Sequence, residues 1–221
     1  MTLRPVAEPS AAAWLVSRGR PWPRLALFGP AGLEAYARLR FIPDPNRPGQ
    51  EEHEHDGGED LPRELVQLRT VVDVLRRHTR TPDDAWHCLW EGWGDLHAGA
   101  TIVTTLHDDG RAEGRPGAPA FPPGVLGAPT VHLPHRSHHL FRGPLSDLGD
   151  WGAADLAPGV PRGDLVPSYV WPSDQAWCIA ADTDPHWAGI GGTREAVEDL
   201  LALSTVDVVA ADPAEDQPSY P

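Results

Sequence analysis

Prolines and glycines punctuate this chain so closely that few stretches are left uninterrupted for a long helix or strand: 25 of the former and 22 of the latter fall in 221 residues. Proline offers no backbone N–H and glycine loses the most freedom on ordering, so both concentrate where regular structure stops. Much of the chain is therefore expected to be ordered coil joining short elements. Two segments, 43–60 and 108–129, are so rich in these residues and so lacking in apolar periodicity that they are expected as mobile loops. Residues 211–221 form an acidic, proline-rich tail. The length suits one domain, 1–221, large enough to bury a core.

Between the breakers, short patterns can be assigned. Ser10 is placed to cap a helix through Ala11–Val16, ended by Gly19, Pro21 and Pro23. Residues 24–28 and 34–41 read as two strands joined at Gly29-Pro30 as a hairpin. Leu61, Leu65, Leu68, Val72 and Leu75 recur at spacings of four and three, with Asp60 and Glu64 leading and Arg76, Arg77 and His78 trailing, which predicts a helix. Strands are expected at 85–90, 131–133, 138–142, 176–182 and 206–210. Thr193 caps a further helix carrying Val197, Leu200 and Leu201. With no strand–helix alternation and no glycine-rich phosphate loop, the pattern predicts an α+β fold: a mostly antiparallel sheet with two to four helices packed on it, loop-rich.

The formal net charge of −14 disfavours nucleic acid, whose binding rests on cations neutralising phosphates. No apolar run is long enough to span a bilayer, and residues 1–10 lack the layout of a signal peptide, so no membrane partner and a cytoplasmic location are expected. Cys88 and Cys178 lie in apolar runs without metal-type spacing and read as buried, reduced thiols.

Five of the nine tryptophans gather in two segments beside glycines and carboxylates: Leu89–Gly94, and Trp171–Cys178 continuing through Asp182 to Gly192. If the segments lie together, Trp90, Glu91, Trp93, Trp177 and Trp187 make a shallow binding face, with Gly92, Gly94, Gly189, Gly191 and Gly192 exposing backbone amides. Asp182, Asp184 and His186 alternate, so an extended backbone would aim all three from one side, a possible divalent-metal set with His135. Against this, Asp184-Pro185 has the form of an ordinary turn. His132, His135, His138 and His139 cluster without helical register and read as a surface feature, while His53 and His55, in the mobile acidic segment, could bind a metal only weakly because the loop must be ordered on binding. Ser137, Ser168 and Ser173 sit in no nucleophile elbow.

Several blocks in fixed order resemble a family of uncharacterised actinobacterial proteins: Glu34-Ala-Tyr-Ala-Arg38, Thr81-Pro-Asp-Asp84 with Leu89-Trp-Glu-Gly-Trp-Gly94, Leu133-Pro-His-Arg136 with Leu140-Phe-Arg-Gly-Pro144, and Trp171-Pro-Ser-Asp174 with Ala176-Trp-Cys178. All 18 basic residues being arginine is in keeping with a GC-rich genome. The resemblance implies no activity, cofactor or catalytic residue. Where this chain has His186–Gly192, many of that family carry a Thr-Tyr-Val-Gly-Gly-like stretch, which argues against His186 as a general ligand. A fainter likeness, in the Leu-Trp-x-Gly-x-Gly strand end, is to the cell-wall-regulator and toxin-immunity superfamily of binding domains.

Two functions are consistent with these features. The first is a non-enzymatic binding module that meets an unknown protein or small ligand through its Trp/Gly-rich face and needs no cofactor. The alternative is a metal-dependent, hydrolase-like enzyme using Asp182, Asp184 and nearby histidines, with Glu91 as base.

Overall fold

In the computed structural model, which describes residues 2–57, 61–99 and 101–221, every strand pairing is antiparallel. In chain order the elements are β1 (Arg4–Val6), α1 (Ala13–Ser17), α2 (Trp22–Phe28), β2 (Ala35–Arg40), α3 (Glu64–Leu75), β3 (Ala85–Trp90), β4 (Ile102–Leu106), β5 (Ala112–Pro116), α4 (Pro123–Leu126), β6 (Val131–Leu133), β7 (Arg136–Gly143), β8 (Tyr169–Pro172), β9 (Cys178–Ala180), β10 (Trp187–Gly192), α5 (Arg194–Leu201) and β11 (Asp207–Ala210). Nine strands make the main sheet in the order β1-β7-β3-β8-β9-β10-β2-β11, with β6 also on β7, and β4–β5 is a separate hairpin. The α+β antiparallel architecture is the one expected, with α2 and α4 beyond the helices anticipated.

Both faces of the sheet are covered. Helices α3 and α5 pack on one, where Leu68, Val72 and Leu200 meet Val170, Ile179 and Ile190. Helix α1 and α2 cover the other, where Leu15 and Leu25 meet Tyr169, Trp171 and Cys178. Successive residues of β8 and β9 thus enter opposite cores, which explains why both strands are apolar throughout. A third cluster around Phe121, Phe141 and Trp151 lies beneath the loops. There Arg162 staples three coil segments, donating to the carbonyls of Ala154 at 3.0 Å, Ala118 at 2.7 Å and Asp95.

Several local expectations are corrected. Residues 24–28 belong to α2, not to a strand, because Pro21 and Pro23 begin a helix rather than end one: their fixed φ suits a first turn whose N–H groups are unpaired anyway. Gly29, at φ 69, ends it. The hairpin with 34–41 therefore does not form; β2 lies between β10 and β11. Glu8, not Ser10, caps the first helical turn, its carboxylate accepting from the Ser10 N–H. Segment 108–129 contains β5 and α4, so regular structure survives its prolines. Within 43–57, Gln50 is buried and donates to Glu54 O at 2.9 Å. The helix-leading Asp60 lies outside the described residues, and Glu64 opens α3. Cys88 and Cys178 are buried and unpaired, burial raising the pKa of both thiols.

The glycines of β10 serve packing. Gly189 and Gly191 face α2 and β2: a Cβ on Gly189 would overlap the Leu27 carbonyl oxygen, and one on Gly191 would lie 2.6 Å from the Tyr36 ring. They bring the sheet against the helix instead of offering amides to a ligand.

Candidate functional site

The expected tryptophan face is not assembled. Trp177 is wholly buried between β9 and α3, its Nε1–H donating to Leu75 O at 3.0 Å. Trp187 is buried against Phe28, ring centres 5.3 Å apart. Both are core residues because β9 and β10 are interior strands covered on each face. Trp90 and Trp93 lie elsewhere, at the end of β3 and in the turn beyond it, half-exposed and edge to face at 6.1 Å. Gly92 lies tight against the Trp90 ring.

Arg136 joins two segments that the sequence keeps 92 positions apart, from Trp90 to Asp182. It opens β7 directly after His135, which takes a left-handed backbone (φ 69) in the β6–β7 turn. Its guanidinium lies 4.6 Å over the Trp90 ring, and reaches Asp182 at 3.1 Å and Asp184 at 3.0 Å. It also donates to Thr183 Oγ1 at 3.0 Å. Burial raises the pKa of Asp182, reinforced by Asp184 and opposed by the Thr183 N–H and Arg136. Asp184 is 83% exposed, and Glu91, just past β3, is exposed as well. Of the expected residues, Trp90, Asp182 and Asp184 thus gather around Arg136, with Trp93 against Trp90, whereas the Glu91 charge acts on His139, which alternates to the other face of β7.

His186 and His135 do not join them. His135 stacks edge-on against Trp22. His186 points instead to Asp44, Nε2 to Oδ1 3.0 Å. Asp44 also accepts from both terminal nitrogens of the buried Arg38 guanidinium, at 2.8 and 2.9 Å, and from Arg40 at 2.9 Å. Burial works against its charge, but the hydrogen bonds from Arg38, His186 and Arg40 prevail and hold its carboxyl well below the usual range. The C-terminal tail closes over this hub: Tyr220 packs on His186 at 4.8 Å and donates to Pro43 O at 2.6 Å, while Arg24 holds Asp216 at 2.7 Å. Between the two carboxylates expected to hold a metal, the structure places a guanidinium. Among the described residues, no group of three or more His, Cys, Asp or Glu side chains is arranged to bind an ion.

The histidine cluster is not a surface feature throughout. His132 is exposed, bonded to Ser137 Oγ at 3.0 Å, but His138 and His139 are buried because they fall in the centre of β7. His87, on β3, is fully buried too. Burial pulls His87 and His138 down to about 3, with backbone at Gly143 and Val131 opposing it. In the unfolded chain both titrate near 6.5, so stability is complete above that pH and falls as pH drops towards 3. The expected loss is about 1.4 kcal/mol per pH unit for each histidine. Urea midpoints measured across that range should show this slope, and replacing both with phenylalanine should flatten it; an unchanged slope would assign acid sensitivity elsewhere.

No protein-family model, curated protein or solved structure matches the chain. No described helix is long and apolar enough to cross a membrane.

Proposed function

We propose that this chain is a non-enzymatic binding module for a basic partner, met on the ledge of Trp90 and Trp93 beside Asp182 and Asp184. The observation that carries this reading is Arg136. A guanidinium already lies over an indole and between two carboxylates there, so the surface is built of the contacts that recognise an arginine: a π face and paired anions. Asp184 keeps acceptor capacity facing solvent, and the net charge of −14 draws cationic partners towards the molecule. The two unpaired thiols fit a reducing compartment, so the partner is sought in the cytoplasm.

Calorimetric titration with an arginine-rich peptide tests the reading. Binding should weaken as salt rises, because exposed charges are screened. Asp184→Lys, on a side chain 83% exposed, should weaken it about tenfold, roughly 1.4 kcal/mol, with little change in the melting temperature, because an exposed ion pair contributes little to stability. A peptide that does not bind, or binds Asp184→Lys as tightly as the parent, would refute this function.

A further inference from the structure

The β4–β5 hairpin stands apart from the main sheet, and its outer strand is exposed at every residue. A two-stranded ribbon with a free edge is only marginally stable alone. One face carries Ile102, 59% exposed, and Leu106, 77% exposed, with uncharged Thr104 between them and Ala112, Gly114 and Pro116 opposite. On a chain this acidic, such a neutral face is a surface that a second acidic copy can approach.

The register fixes which backbone groups are free. His107 N–H donates to Arg111 O at 2.9 Å, and Gly117 N–H to Thr101 O at 2.8 Å. Antiparallel ladders bond at every second pair. Residues 113 and 115 therefore turn their N–H and C=O groups towards β4, and 112, 114 and 116 turn theirs outwards. Pro116 has no N–H to leave unpaired at that edge. Beyond it the edge closes, Ala118 N–H donating to Leu156 O at 2.8 Å.

We infer that β5 pairs antiparallel with β5 of a second copy of this chain about a twofold axis through Gly114, making a four-stranded sheet. In that register Gly114 exchanges both hydrogen bonds with its counterpart, and the Ala112 N–H donates to the counterpart of Pro116. The sequence Glu113-Gly114-Arg115 is complementary to itself when reversed: each Glu113 faces the other copy's Arg115 in a non-hydrogen-bonded pair, where side chains approach most closely. The commitments of Glu113 within its own chain are loose and exposed, 3.5 Å to His107 and 3.7 Å to Arg111, so it is free to turn to a partner. Among the described residues Arg115 makes no ion pair.

Sedimentation or light scattering on the full chain tests this. The parent should show twice the 24.0 kDa chain mass at high concentration. Glu113→Arg and Arg115→Glu should each raise the dissociation constant by about tenfold or more, since each sets like charges opposite at two symmetric places. An equimolar mixture of the two variants should restore the dimer, because every facing pair is then opposite in charge. Both side chains are exposed, so unchanged melting shows that the variants are folded. A monomeric parent, a dimer indifferent to either variant, or a mixture that stays monomeric would overturn the inference.

Discussion

Asp44→Ala should lower stability by about 3 kcal/mol, the lower end of the range for removing one partner of a buried ion pair, since Asp44 keeps 18% exposure. Arg38 is the cause. Its side chain is only 6% exposed and donates from both terminal guanidinium nitrogens to this one carboxylate. Without Asp44 a buried charge remains over the Trp187 ring with no anion to meet it, and His186 and Arg40 lose the same acceptor. For a chain of this length the melting temperature should fall by about 6–12 °C. Asp216→Asn, which removes a carboxylate at the solvent-exposed end of the tail, should leave melting unchanged. Differential scanning calorimetry decides it, and an Asp44→Ala variant melting with the parent would show that the hub is relaxed by water.

The second large effect is expected from a single methyl group. Gly189→Ala places a Cβ onto the Leu27 carbonyl oxygen, which is backbone and cannot rotate aside. Either α2 lifts from the sheet or β10 bends out of register. Ordinary overpacking costs about 1–3 kcal/mol where side chains can shift, and here the cost should exceed that range. Gly163→Ala, with no atom near the added methyl and no left-handed backbone, should be close to neutral. Urea unfolding of the two variants gives the contrast, and equal midpoints would mean that α2 is not held as tightly as the contact requires.

How much of this was legible in the sequence depends on the range of the signal. Helix α3 and strand β3 were, because their periodicity and boundaries are local. Helix α2 was not: prolines both start and stop helices, and only Gly29 after Phe28 marks which role they play here. The tryptophans misled for a related reason. Glycine beside an aromatic marks close approach, but the approaching group at Gly189 is α2, not a ligand. The two polar hubs depend on partners far along the chain. Arg38 and Arg40, spaced two apart on a strand, share one face and so call for an anion on that side, a signal that could have lifted Asp44 out of its proline-flanked loop. Nothing local links Arg136 to Asp182 and Asp184; their meeting follows from strand order.

That strand order bears on how the protein is made. Strand β2 is bonded on one side to β10 and on the other to β11, so it leaves the ribosome with neither neighbour. At translation rates of about 5–20 residues per second, the roughly 150 residues separating β2 from the end of β10 take about 7–30 s to synthesise. Through that interval Leu39 and Phe41 have no sheet to enter, and the nascent chain must be kept from aggregating. Messages ending before residue 187 would leave β2 with no neighbour in the sheet, so the fate of residues 35–40 is decided by residues 187–210.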